Sequence, residues 1–364
     1  MEGAGRAAIL TLGHLAHLTG VSSHFLRQVV ERRRDPYHAF SISKRSPERG
    51  KRTISAPSAE MMSVQKWLLK RVLNPAIGHP NSFAYEPGRS IRQCAARHCG
   101  ARWIVSLDLH DFFHSVDEKR VFQVFETLGY NRLVSFELSR ICTRLIGRNI
   151  KPSNVRPETY SISAYVSENL GFLPQGAPTS GKLANLVAAD LDERLLSLAT
   201  EYRLVYTRYA DDLFFSSSGD FDRAVAVRLI REIGDLVAVS GFEIHRKKTR
   251  VLTPGSRKQI LGLLVDDLAG PRLTRRTRAQ IEAHLRGVET FGVVAHREHR
   301  RFDSTWGFVA HVWGLLAFAA SIEPDWARPA RFRWENALSR DGWGSDVFRP
   351  DLYFVNSHLA ERES

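Results

Sequence analysis

Two adjacent carboxylates, Asp211 and Asp212, stand in the middle of "YTRYADDLFFS", between two runs of aromatic and apolar residues that each read as a strand. Aspartates at a strand-to-strand turn have two uses. They shape the turn itself, or they hold divalent cations. The second use suits phosphoryl transfer, in which the attacking and leaving oxygens both carry negative charge and two ions about 4 Å apart stabilise both at once. Magnesium takes hard oxygen ligands and keeps water and substrate phosphate in its shell, so a few carboxylates converging from rigid elements suffice. A third carboxylate must come from a neighbouring strand. Asp108, at the end of "WIVSLD", is the best placed; Asp111, Asp190 and Asp192 compete on residue type. Asp190 and Asp192 fall in a helical pattern and need only solvate it, and Asp111 follows the strand and suits a turn cap. A tight two-residue hairpin would favour Asn-Gly or Asp-Gly, which "ADD" does not supply.

The elements that must position these groups follow from periodicity. Residues 1 to about 35 form an amphipathic helical segment, with Leu15, Leu18, Phe25, Val29 and Val30 near helical spacing. "FSISKRSPERGKRTISAP" reads as two short strands around a Pro/Gly/Arg-rich turn, and "AEMMSVQKWLLKRVL" returns to helical period. The strand ending at Asp108 alternates Ile104, Ser106 and Asp108 against Trp103, Val105 and Leu107. Residues 147–170 are polar and irregular. "GKLANLVAADLDERLLSLA" predicts one helix with Leu183, Val187, Leu191 and Leu195 on a stripe. The "YADD" hairpin follows, then a helix ended by Gly241, then "FEIHRKKTRVL" and "KQILGLLVDD" as a further strand pair, then mainly helix after Gly270. The order strand, helix, hairpin, helix, strands describes an α+β sheet domain with helices on one face and helical segments at both ends.

The chain has 364 residues, 43% of them hydrophobic, and a net charge of +13. That length suits two or three lobes, and the charge suits a polyanionic partner, nucleic acid or an anionic membrane face. Three cysteines, none in a C-x-x-C pair, argue against a disulfide framework or a structural zinc site and fit a reducing cytoplasm. The N-terminus lacks the pattern of a signal peptide. The longest apolar run, Val312 to Ile322, is too short to span a bilayer, so a buried core helix and no membrane partner are expected.

Several segments, taken together, resemble reverse transcriptases. "RYADDL" is similar to their catalytic hairpin, "IVSLDLHDFFHSV" to the strand bearing the third aspartate, "FLPQGAPTS" to the segment that meets the nucleotide, and "SISKRSPERGKRTISAP" to the loop that grips its triphosphate. "EIHRKKTRVL" and "QILGLLVDD" resemble the closing palm strands, so the matches run in order from about Phe40 to Asp267. The resemblance implies a right-hand polymerase with a ferredoxin-like palm sheet: a helical N-terminal segment over 1–38, fingers and palm over 39–268, thumb and tail over 269–364. It implies that Asp108, Asp211 and Asp212 hold two Mg2+ ions. Lys44 and Arg52 would meet the phosphates, Arg through its bidentate fork. Gln175 would contact the nucleotide, Gly176 would permit close backbone approach, and Phe113 would lie under the sugar and exclude a 2′-hydroxyl.

Within the reverse transcriptases the retron type is the most similar, through "FLPQGAPTSGKLANLVAADLDERL", "VYTRYADDL" and "VWGLLAFAASIEP". The family's N-A-x-x-H is "CAARH" here, with Cys94 for Asn; V-T-G is "ILG", with Leu261; and Gly181 stands where a proline is usual. By this likeness His98 would contact RNA. Residues 241–301 hold 14 Lys/Arg against 6 Asp/Glu, a balance of +8, and the basic helix carrying Arg275, Arg276 and Arg278 would lie along a template–primer duplex. The implied partners are a cognate structured non-coding RNA, its DNA product, deoxynucleotide triphosphates and a separate effector protein in antiphage defence. The alternatives are a non-retron bacterial reverse transcriptase, of defence or group II intron type, and an inactive RNA-binding scaffold.

Overall fold

A computed structural model describes residues 5–43, 51–145, 151–152, 162–167 and 169–343. The chain divides into two compact units. One comprises residues 1–97 and 102–256; the other comprises 98–101 and 257–364.

The first unit opens with α1 (Leu12–Thr19) and α2 (Ser23–Val30), where the sequence pattern predicts one amphipathic segment. The division has a local cause. Gly20 adopts φ 68 and its N–H turns back to the carbonyls of Ala16 and His17, closing α1 with a left-handed cap. Strands β1 (Tyr37–Ser43) and β2 (Lys51–Pro57) pair antiparallel, as expected for the basic hairpin. Lys44, which follows β1 in the sequence, lies outside the described residues. Then come α3 (Ala59–Leu68), the short α4 (Ile91–Ala96), β3 (Trp103–Asp108), α5 (Glu118–Thr127) and α6 (Arg132–Cys142). In the segment expected to be irregular, β4 (Lys151–Pro152) pairs with β5 (Asn169–Leu170).

The predicted single helix after residue 180 is two, α7 (Ser180–Val187) and α8 (Ala189–Glu201), joined at Ala188 with ψ near 1°. Next are β6 (Val205–Tyr209), β7 (Asp212–Ser217), α9 (Arg223–Val239) and β8 (Arg250–Leu252). Four of these strands form one antiparallel sheet in the order β6-β7-β3-β8. β3 is central, and both its faces are covered: Ile104, Val105 and Leu107 are all buried. The unit's core joins these strands to Leu15 and Leu26 of α1 and α2, Leu183 of α7, Leu195 of α8 and Ile233 of α9.

A buried charge cluster ties the N-terminal helices to α5 and α6. Glu118 accepts from Arg32 at 2.6 Å and from Arg140 at 2.8 Å, with all three side chains nearly closed to water. Burial pushes the Glu118 carboxyl up, but the two guanidiniums overcome that and hold it below its ordinary value. A depressed carboxylate contributes stability above its unfolded pKa and loses it as pH falls through the folded one. Glu118→Gln is therefore expected to melt well below wild type at pH 7, with a gap that narrows below roughly pH 4. A gap that stays constant on acidification would show that the charge of Glu118 contributes nothing.

The second unit holds a small sheet of β9 (Gln259–Ile260), β10 (Leu263–Leu264) and β11 (Arg272–Leu273), then α10 (Arg275–Phe291), α11 (Val293–His299), α12 (Thr305–Ile322) and α13 (Pro324–Arg340). The expected pairing of "FEIHRKKTRVL" with "KQILGLLVDD" is not what forms. The first supplies β8, which pairs with β3; the second folds on itself as β9 and β10. Leu261 and Gly262 both take positive φ, 50° and 82°, the requirement of a tight primed hairpin turn. The apolar run 312–322 is the second half of α12, an 18-residue helix long and apolar enough to cross a membrane by length and composition. Its Phe308, Val312, Leu316 and Ala319 are instead buried, at the spacing of one helix face, and α10, α11 and α13 pack against it.

Candidate active site

The three aspartates meet at one end of the β6-β7-β3-β8 sheet. In the β3–β7 register Asp108 lies opposite Asp212, and Tyr209 of β6 also faces Asp212 across the hairpin. The turn is Ala210-Asp211, with Ala210 at φ 56. The N–H of Leu109 donates to the Asp211 carbonyl at 2.8 Å, so the hairpin tip is stitched to the end of β3.

The carboxylates feel one another. Burial, with Asp211 and Asp108 beside it, pushes the Asp212 carboxyl up to about 7. Burial also raises Asp211, with Asp108 adding to the effect and Lys248 and Arg52 opposing it. Repulsion of this kind marks a site with more negative charge than its surroundings balance. One cation is already present. Lys248 Nζ donates to both oxygens of Asp108 at 2.8 Å. It reaches there because residues 243–245 run against 108–110: His110 N–H donates to the Glu243 carbonyl and His245 N–H to that of Asp108. The basic 3-10 turn Arg246–Lys248 follows directly.

An all-carboxylate donor set, half-buried and short of positive charge, fits a hard divalent cation. As the side chains stand, no three His, Cys, Asp or Glu groups form a metal-holding cluster among the described residues, and Asp108 is engaged by Lys248. Binding of a cation by Asp108 there competes with the half-exposed Lys248 ammonium.

The hairpin is held from below by a group that residue type alone assigned to solvent. Asp192 is fully buried and grips Arg208 of β6: Arg208 Nε donates to Asp192 Oδ1 at 2.7 Å and Nη2 to Oδ2 at 2.6 Å, with no exposure on either side chain. Arg208 Nη1 donates to Asn185 Oδ1 at 2.9 Å and to the Ala210 carbonyl at 3.0 Å. Tyr206 donates its hydroxyl to Asp192. The bend at Ala188 brings Asn185 of α7 and Asp192 of α8 onto the same guanidinium, and that guanidinium fixes the carbonyl one residue before Asp211. The available signal was Arg208 itself, a charged residue inside an apolar strand. Asp190 is exposed. Asp111 bends the chain at φ 45, and its carbonyl accepts from Ser115 N–H.

The other expected site residues divide. Arg52 on β2 lies near enough that its charge lowers Asp211. Gln175 is half-buried and its carbonyl accepts the Ser55 N–H at 2.7 Å, docking β2 onto the "PQG" segment. Gly176 has φ 115, and a Cβ there would stand 2.8 Å from Ile54 and 3.0 Å from the Ser55 carbonyl. The close approach it permits in this structure is that of β2. Phe113 is half-buried, its ring 5.7 Å from that of Phe112. His98 belongs to the second unit and is 1% exposed, so its imidazole offers almost no surface for the expected RNA contact. Arg275 and Arg276 are exposed at the start of α10, whereas Arg278 is engaged by Glu323 and the Trp326 ring. Cys94, in the asparagine's place, is buried with its thiol 3.3 Å from the Thr207 hydroxyl.

A sheet end carrying three neighbouring aspartates suits metal-assisted phosphoryl transfer, and comparison with known proteins narrows the class. A family model described as reverse transcriptase (RNA-dependent DNA polymerase) matches residues 42–287, and the chain belongs to that family. Its relatives there are of retron type. It is 31% identical to the Retron Ec86 reverse transcriptase of Escherichia coli, over 88% of this chain and 87% of that one. It is 35% identical to the Retron Mx65 reverse transcriptase of Myxococcus xanthus, over 86% and 68%. A solved telomerase from Candida albicans aligns over 90% of this chain and 67% of its own at 12% identity, with a TM-score of 0.43, too loose a likeness to carry an argument. The enzyme is thus an RNA-directed DNA polymerase, which takes an RNA template and makes DNA, and its family generally uses divalent metal ions.

Proposed function

We propose that this enzyme copies a cognate structured non-coding RNA into single-stranded DNA, starting from an RNA 2′-hydroxyl and leaving a branched RNA–DNA product. The observation that carries the polymerase chemistry is the convergence of Asp108, Asp211 and Asp212 at one sheet end; kinship with retron enzymes carries the mode of priming. In this reading residues 1–38 are a helical N-terminal segment, 39–268 fingers and palm, and 269–364 thumb and tail.

Asp108, Asp211 and Asp212 hold two Mg2+ ions, which supply charge stabilisation to the attacking and leaving oxygens. Lys44 and Arg52, the latter on β2, meet the β- and γ-phosphates, and Gln175 and Gly176 hold the nucleotide against β2. Phe113 sits under the sugar. Arg275 and Arg276 contact the phosphates of the template–primer duplex; three arginines in the first turn of α10 oppose the helix dipole, an arrangement that a polyanion offsets. The product serves antiphage defence in the cytoplasm, with a separate effector protein as partner.

The test is to express the chain with its native flanking locus, purify the associated nucleic acid, and treat it with RNase and then with a 2′–5′ debranching enzyme. The DNA should lose a residual RNA stub and run slightly faster. DNA whose mobility does not change on debranching would leave branched priming without support, make a protein-primed, 3′-hydroxyl-primed or already processed product the better reading, and leave the polymerase assignment standing.

A further inference from the structure

The loop between Gly78 and Arg89 holds one residue in a conformation that side chains resist. Tyr85 has φ 57, and a left-handed non-glycine residue persists only where its surroundings over-determine it. They do so here. Arg89 Nη1 donates to the carbonyls of His79 at 2.7 Å and Pro80 at 2.8 Å, and also to that of Ser82. Asn185 Nδ2 donates to the Ala84 carbonyl and to Glu86 Oε1, and Lys182 Nζ donates to Glu86 Oε2 at 2.6 Å. Lys182 and Glu86 are both almost fully buried. The residues on either side of Tyr85 are thus tied to α7, and Asn185 is the same side chain that receives Arg208.

The ring of Tyr85 is seated against α7. It lies over Gly181, where a Cβ would stand 2.4, 2.5 and 2.8 Å from three of its ring carbons. Any larger residue at position 181 would displace it. From that seat the ring meets Phe113 edge-on, with centroids 6.0 Å apart and planes at 62°, the geometry aromatic pairs favour. Tyr85 is nevertheless 51% exposed, on the side of the site where the charges of Asp211 and Arg52 reach its phenol. A strained loop pinned by buried polar contacts therefore delivers the half-exposed Tyr85 onto Phe113.

We infer that Tyr85 is a positioning residue for Phe113 and thereby sets the preference of the enzyme for deoxy- over ribonucleotides. A side chain excludes a 2′-hydroxyl only while it cannot step aside, and Tyr85 closes the rotamers through which Phe113 would retreat. The absence of a side chain at Gly181 is what makes room for this arrangement. The inference rests on the reading of Phe113 as the residue under the sugar.

The experiment measures single-nucleotide incorporation of a deoxynucleotide and its matching ribonucleotide on an RNA template–primer, with kcat/KM for each, in the full chain. Phe113→Ala should relax the ratio and set its ceiling. Tyr85→Ala should relax it roughly tenfold, Tyr85→Phe should keep the wild-type ratio, and Gly181→Ala, which displaces the ring without changing it, should behave like Tyr85→Ala. Tyr85→Ala combined with Phe113→Ala should be no more relaxed than Phe113→Ala alone. If Phe113→Ala relaxes selectivity while Tyr85→Ala and Gly181→Ala keep the wild-type ratio, the role of Tyr85 is overturned and the gate stands. If Phe113→Ala leaves the ratio unchanged, the gate reading fails and the inference falls with it. Should Tyr85→Ala not fold, Tyr85→Leu and Gly181→Ala decide the matter by the same ratio.

Discussion

Asp211→Asn is expected to abolish deoxynucleotide incorporation without lowering the melting temperature. The two halves of this result have one cause. The Asp211 carboxylate is half-buried beside Asp108 and Asp212, and its pKa is raised, so its charged form is disfavoured in the fold at neutral pH. Removing the charge relieves repulsion, including that felt by Asp212, whose carboxyl stands at about 7. Stability should hold or rise. The same charge is what a divalent ion needs, and the loss of such stabilisation costs several kcal/mol of transition-state binding, roughly a thousandfold or more in rate. Primer extension with magnesium, alongside thermal melting, reads both. Activity within a few-fold of wild type would reduce Asp211 to a turn residue.

Arg208→Met should do the opposite to stability. It leaves the Asp192 carboxylate fully buried with no guanidinium to answer it, and unfolds the contact that holds the Ala210 carbonyl. Breaking a buried pair by removing one partner costs about 3–5 kcal/mol, on the order of 10 °C in melting temperature for a chain of this size. The companion Asp192→Leu/Arg208→Met removes both charges and should recover much of that loss, because the orphaned carboxylate is gone. It should not recover incorporation, since the Ala210 carbonyl then loses the guanidinium that holds the residue before Asp211. If the single variant melts like wild type, the pair is dispensable to the fold. If the double variant regains both stability and activity, Arg208 has no part in positioning the hairpin.

Much of this protein was legible in its residues alone. The hairpin around "YADD", the strand ending at Asp108, the basic hairpin of β1 and β2 and the helical end all follow from periods of 2 and 3.6 and from turn residues, which are local properties of the chain. Residue type and strand ends made Asp108, Asp211 and Asp212 candidates, and the resemblance to reverse transcriptases singled them out; the structure brings the three to one sheet end. What the sequence could not decide were pairings between distant segments. Asp192 sits on a helix with a polar pattern and reads as solvated; only the bend at Ala188 and the packing of α8 under β6 bury it against Arg208. "FEIHRKKTRVL" and "KQILGLLVDD" look alike in period, yet one closes the large sheet and the other folds on itself, because Leu261 and Gly262 turn the second chain before it can reach β3. Lys248 on Asp108, at a separation of 140 residues, and Tyr85 on Gly181 and Phe113 are contacts that no window along the chain contains. Residue types and short spacings thus singled out the groups proposed to do the chemistry. Tertiary packing decided what surrounds them, because burial and charge pairing depend on which segments come together in space.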